Sequence, residues 1–133
     1  MKSVTSLSLA FLMILVLGAC TTAHVTKAVM TTGLDDQGRN VDTTVAYKPD
    51  APKFIVVADI ANAPEDTKIT VKWIYVPQNR EIDKVEMVLP GSRSINSSLT
   101  RGENLWPEGD YEVQIFIDQK KEQSHKVAFK VVQ

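Results

Sequence analysis

The chain of 133 residues contains one cysteine, Cys20, so no internal disulfide can close and stability must come from burial. Histidine is almost as scarce. His24 and His125 each stand without a His, Cys or Glu neighbour at metal-ligand spacing, so no metal site and no cofactor is implied. There is no excess of positive charge: 15 Lys and Arg face 16 Asp and Glu, which argues against an electrostatic nucleic-acid binder. The longest uninterrupted apolar run, Leu9 to Leu17, falls well short of the roughly 18 residues that span a bilayer. No serine lies in a GxSxG elbow, and the serines cluster in turns. Beyond the first 19 residues no stretch carries a 3.6-residue apolar stripe. Together these absences leave no catalytic constellation, and the chain reads as a non-enzyme.

What is present begins at the N-terminus. Lys2 supplies a positive n-region, Leu9 to Leu17 an apolar h-region, and Gly18 and Ala19 the small residues that precede a signal cleavage site. Leu17-Gly18-Ala19-Cys20 resembles the bacterial lipobox. That resemblance implies cleavage between Ala19 and Cys20, with the Cys20 thiol carrying a diacylglyceryl group and its freed amine open to a further acyl chain. Two or three chains, at about 0.8 kcal/mol per buried methylene, hold a protein stably at a membrane. Thr21, in place of an aspartate, resembles the class sorted to the outer membrane where a cell has two. The expected organisation is a signal peptide at 1–19, a lipidated tether at 20–27 and one domain at 28–133. Removing the signal peptide takes only Lys2 from the basic total, so the charge balance stays near neutral.

The remainder alternates with the period of strands. Ile69, Val71, Trp73 and Tyr75 share one face of a segment from Lys68 to Val76. Tyr111, Val113, Ile115 and Ile117 do the same, as do Val127, Phe129 and Val131. Phe54 to Ile60 is more continuously apolar, as for a central strand. Ile82–Leu89, with Val85, Met87 and Leu89, and Ser94–Thr100 are weaker strands. Turn formers fall between the runs, at Asp35 to Asn40, Asn62 to Asp66, Pro90 to Ser92 and Pro107 to Gly109, and Lys120-Lys121 reads as a further hairpin turn. Seven to eight short strands predict an all-β, antiparallel two-sheet sandwich, preceded by the signal-peptide helix.

Two features point to an immunoglobulin-like arrangement. Trp73 faces inward on the third strong strand. Gly109-Asp110-Tyr111-Glu112-Val113 reads as the start of strand F, with Tyr111 as a corner tyrosine, Val113 where a disulfide-bonded domain carries cysteine, and Val57 as its apolar counterpart on strand B. On these residues, with Leu105-Trp106-Pro107 and Phe129-Lys130-Val131, the chain resembles the immunoglobulin-like or fibronectin-III-like domains of small bacterial lipoproteins. The resemblance covers roughly Lys53 to Val132 and implies a fold, not an activity.

Asp35 to Asn40 has adjacent aspartates and no closing glutamate, so it reads as a hairpin turn rather than a calcium loop. Trp106 precedes Pro107 in a loop. It serves either as a plug for one end of the sandwich, the favoured reading, or as a contact for a partner. With Glu65 and Asp66 it forms the candidate partner-binding set, because recognition on a sandwich falls to its loops. The expected function is a lipid-anchored, non-catalytic binding or structural module of the cell envelope, with the membrane and a protein or glycan as partners. The alternative is an inhibitor or accessory subunit of an envelope machine.

Overall fold

The computed structural model describes residues 22–118 and 120–133. The signal peptide, Ala19 and Cys20 lie outside the described residues.

Among the described residues, eight strands and one short 3-10 turn follow in order: β1 His24–Thr31, β2 Ala46–Tyr47, β3 Lys53–Ala61, β4 Thr67–Tyr75, the turn Val76–Gln78, β5 Arg80–Leu89, β6 Arg93–Thr100, β7 Gly109–Ile117 and β8 Lys120–Val131. They form a three-stranded sheet, β1-β3-β6, and a five-stranded sheet, β2-β8-β7-β4-β5. All pairings are antiparallel except that of β2, whose Ala46 and Tyr47 lie parallel to Lys130 and Val131. This is an all-β, two-sheet sandwich. β3 sits centrally in the small sheet, as its more continuously apolar run predicts.

The core lies between the sheets. From the large sheet Trp73, Val71, Ile69, Val113 and Ile115 are all buried, and from the small sheet Phe54, Val56 and Ala58. Trp73 and Tyr111 are thus inward, at 1% and 2% exposure, and Val113 pairs with Trp73 across β4 and β7. The Tyr111 hydroxyl donates to the Pro107 carbonyl at 2.6 Å, the corner bond expected of the tyrosine that opens strand F. Ile82 is the extra residue of a bulge opposite Trp73 and Ile74, which re-phases β5 so that Met87 and Leu89 reach the core.

Three expectations change in detail. β1 starts at His24, inside the span 20–27 read as tether; lysine and threonine break its apolar pattern, and pairing of His24 with Ala61 brings these residues into the sheet. The last hairpin turns at Asp118, with φ +52°, and Lys120 already pairs with Ile117; the turn is earlier than Lys120-Lys121. Val57 is buried, but it shares register with Val29 and Asn96 on the outer face of the small sheet, so Val56 is the inward residue. The reason is a flap. Residues 32–45 leave β1, turn back at Asp35–Arg39 and lie over that outer face, where Asn96 Nδ2 donates to the Gly38 carbonyl at 3.4 Å. Both faces of β3 are therefore covered, and its sequence shows no alternation.

Candidate functional site

Strand direction places the candidate residues at two ends of the sandwich. Trp106 lies in the connection 101–108 between β6 and β7. Its backbone N–H donates to the Pro49 carbonyl at 2.9 Å, and its indole Nε1–H to the Ala51 carbonyl at 2.7 Å. Its ring stacks on Phe54 with centroids 4.1 Å apart and planes at 27°. One ring face and the only polar atom are thus committed, and half-buried Trp106 plugs this end. Beside it, the Tyr75 hydroxyl donates to the Glu108 carbonyl at 2.8 Å, and Leu105 stands 60% exposed.

Glu65 and Asp66 lie at the opposite end, exposed in the Asn62–Asp66 connection. Asn62 and Asp66 take left-handed backbone, with φ +57° and +64°, a region that Asn and Asp tolerate better than most. The Ala63 N–H donates to Ser92 Oγ at 2.9 Å, and the Thr67 hydroxyl to the Pro64 carbonyl at 2.7 Å. Asp118 closes the same end, its Oδ1 accepting from the Lys68 N–H at 3.0 Å. β4 runs from one end to the other, so Trp106 and the Glu65–Asp66 pair are separated by about 25–30 Å of strand. The structure does not bring the three together.

The flap carries the expected turn at Asp35 and adds two residues that sequence reasoning did not single out, Asp42 and Tyr47. Asp42 accepts from the Thr31 hydroxyl at 2.7 Å, from the Thr32 N–H at 2.8 Å and from the Thr32 hydroxyl. These donors, the Thr32 hydroxyl foremost, hold its carboxyl below the ordinary range. Asp35 Oδ1 accepts from the Arg39 and Gln37 N–H groups, each at 2.9 Å, and these bonds lower its pKa in turn. That is an Asx turn, not a cation loop. Tyr47 ties the flap's exit to the core. Its hydroxyl donates to the Thr31 carbonyl at 2.6 Å, its ring meets Phe54 and Phe129, and burial pushes its pKa up to about 12. Burial also pushes Tyr111 up to about 12.

Under the flap is a cavity of about 190 Å³, with Lys27, Arg39 and Asp59 at its polar rim and Val29 and Val57 at its base. A shallower groove of about 630 Å³ follows the seam where β1 and β8 approach, lined by Ala28, Met30, Val45 and Val127 among others. The outer face of the large sheet is a charged ladder. Lys68 and Lys84 approach Glu86 at 3.9 and 3.6 Å, Lys72 approaches Glu81 at 3.8 Å, and the Lys72 ammonium lies over the Phe116 ring. Ion pairs this exposed contribute little stability, and the ladder reads as a solvated face. His24 Nδ1 lies 2.8 Å from the Thr22 carbonyl, and His125 on β8 pairs with Ile115 on β7. Among the described residues no group of three His, Cys, Asp or Glu is placed to hold a metal ion, and no helix is long and apolar enough to cross a membrane.

No protein-family model matches the chain, and no curated protein matches it in sequence. Among solved structures it is similar to a β-glucosidase from Listeria innocua. A mutant of that enzyme in complex with laminaribiose aligns with a TM-score of 0.45 and 10% identity, over 84% of this chain. The complexes with isofagomine and with glucose each align with a TM-score of 0.42 and 8% identity, over 82% and 84% of this chain. This chain spans 16% of the length of those chains, and at these scores the likeness carries no argument about what it does.

Proposed function

We propose that this protein is a lipid-anchored, non-catalytic binding module of the bacterial cell envelope, an immunoglobulin-like or fibronectin-III-like domain held at a membrane through acyl chains on Cys20. The observation that carries the reading is Leu17-Gly18-Ala19-Cys20 at the end of the apolar run Leu9–Leu17, only four residues ahead of the first strand at His24. Thr21 favours the outer membrane in a cell that has two.

The short link orients the domain. Four residues reach at most about 14 Å when extended. β1 enters beside Ala61, at the end formed by Asn62–Asp66, Pro90–Ser92 and Asp118. In the anchored protein Glu65 and Asp66 face the bilayer, and Trp106 stands at the far end. Recognition then falls to the far loops and to the sheet edges along the sides.

Incorporation of labelled fatty acid tests the anchor. The natural chain takes up label and fractionates with membranes. Cys20→Ser removes the acyl-accepting thiol and does neither. Equal labelling of both chains refutes the reading.

A further inference from the structure

We infer that the free edge of β6 is a docking strip for an extended segment of another envelope protein, one that is uncharged and alternately apolar in its middle and acidic at its two ends. The inference rests on the anchored-module reading and names the chemistry of the partner.

The sandwich has four edge strands, and three are blunted. β5 carries Arg80, Glu81, Asp83, Lys84 and Glu86 and contains the bulge at Ile82. β1 is bulged between Val25 and Lys27, and its far end bridges to Thr44. β2 is only two residues long. Charges, bulges and short length are the devices by which sheet edges avoid adding a foreign strand. β6 has none of them from Ser94 to Thr100. The stretch Ser94-Ile95-Asn96-Ser97-Ser98-Leu99-Thr100 lacks charge and proline, and its register on β3 is unbroken from Arg93 to Thr100. Among the described residues, no backbone N–H or C=O from Ser94 to Thr100 hydrogen-bonds outside the β3–β6 pair; the one contact beyond it comes from a side chain, Asn96 Nδ2 to the Gly38 carbonyl. A row of alternate N–H and C=O groups therefore faces outward along eight residues, about 25 Å.

An added strand alternates as β6 does. Ile95, Ser97 and Leu99 face the core side, so its residues beside them lie over the open flank of the sandwich and are apolar. Ser94, Asn96 and Ser98 face outward, so their neighbours are polar and uncharged. The ends of the strip are cationic. Arg93 is exposed, and Arg101 follows Thr100. Neither has a carboxylate within ion-pair distance among the described residues. The Arg101 Nη1 donates only weakly, to the Asn104 carbonyl at 3.3 Å, and its buried Nε has no partner. Two unneutralised guanidinium groups at the ends of an uncharged strip select carboxylates at matching spacing.

A second copy is the competing occupant, and two observations disfavour it. Antiparallel pairing centred on Ser97 sets Arg93 against Arg101 at both ends. It also points the two β1 entry ends in opposite directions, which short tethers to one membrane do not allow.

The probe is a nine-residue synthetic peptide with glutamate at each end and alternating valine and threonine between, labelled for fluorescence anisotropy against the detergent-solubilised full chain. Binding at least tenfold tighter than that of the same peptide with lysine ends is expected, with slowed amide hydrogen exchange in β6. N-methylation of alternate peptide amides abolishes binding, because strand addition needs those donors. Arg93→Glu, at an exposed position, removes the preference for glutamate ends and leaves a glutamine-ended peptide unaffected. Equal binding of the acidic and basic peptides overturns the proposal, as does protection on β1 or β5 instead of β6, or no binding at millimolar peptide. A Cys20→Ser chain that sediments as a dimer with protected β6 amides also overturns it, in favour of self-pairing. These readouts do not require acylation, so their failure is distinct from a failure of the fatty-acid experiment.

Discussion

Replacing Trp106 separates a plug from a partner contact. In the structure its indole carries three separable contributions. The ring is half-buried, and complete removal of a fully buried tryptophan costs about 3–5 kcal/mol, so the packing share here is about 1.5–2.5. The stack on Phe54, with centroids 4.1 Å apart, adds about 0.5–1.5 kcal/mol beyond area. The Nε1–H bond to the Ala51 carbonyl, at 2.7 Å, adds about 1 kcal/mol. Trp106→Ala is therefore expected to lose about 3–5 kcal/mol, and Trp106→Phe, which keeps the stack, about 1–2. A single domain of this size has about 5–15 kcal/mol in all, so the alanine variant is still folded but visibly weakened. Urea melts of the full chain in detergent, followed by tryptophan fluorescence and far-ultraviolet circular dichroism, give both numbers. The slope against denaturant stays unchanged if only the native state is affected. A loss below about 1 kcal/mol for Trp106→Ala refutes the plug and returns the indole to the partner surface.

Trp73→Ala empties the centre of the core and is expected to cost about 3–5 kcal/mol in the same melts; a cost below 1 contradicts the inward placement. Tyr111→Phe removes only the hydroxyl bond to Pro107 and is expected to cost about 1 kcal/mol, with no change in denaturant slope. Asp42 and Asp35 have depressed pKa values in the fold, so their contribution is present above the ordinary aspartate range, near 4, and is lost as pH falls through their lower folded values. Amide exchange in the flap is expected to rise at that acid limit, and Asp42→Asn is expected to abolish that rise at Thr32. Tyr47 and Tyr111 titrate near 12 in the fold against about 10 unfolded, so stability is expected to hold below pH 10 and to fall between 10 and 12. An alkaline melt whose midpoint is flat across that window refutes their burial as the cause.

Much of the sandwich is legible in the sequence because half-buried strands must alternate. β4, β7 and β8 show this, and Trp73, Tyr111 and Val113 take the inward positions that alternation assigns. The same rule fails on β3. From Phe54 to Ala58 every residue is buried, and no periodicity survives to say which face is inward. The cause is the flap, and nothing in residues 32–45 announces that it folds over a sheet: Val41 and Val45 remain 58% and 69% exposed. What fixes it is the Asp42 bonding to Thr31 and Thr32, contacts whose partners are 10 and 11 residues away. The partner set was only half legible. Loop position marks Trp106, Glu65 and Asp66 as reachable, but chain direction, not composition, sends them to opposite ends. The β6 edge is invisible without strand order, because Ser94–Thr100 reads as a weak strand whether it lies at a rim or inside a sheet.

A chain whose single cysteine is Cys20 has no disulfide between its sheets, and the rings around Phe54 tie them together instead. Phe54 stands on β3, in the small sheet. Tyr47, Tyr111 and Phe129 of the large sheet lie 4.8, 5.4 and 4.8 Å from it, centroid to centroid, and Trp106 closes the end at 4.1 Å. Trp73 stacks more loosely at 6.5 Å. Tilted and edge-on ring pairs at these spacings each add about 0.5–1.5 kcal/mol beyond area burial, so several together match the 2–4 kcal/mol of a typical disulfide. Unlike a disulfide, the cluster survives a reducing compartment. It also sits toward the Trp106 end, far from the β1 entry that the proposed anchor holds. The two ends of the domain are thus secured by different means: one by the aromatic cluster, the other by turns at Asn62–Asp66 and Asp118 bonded to their neighbours. That leaves the sides, and β6 in particular, as rigid rims on which an incoming strand meets backbone already held in extended form.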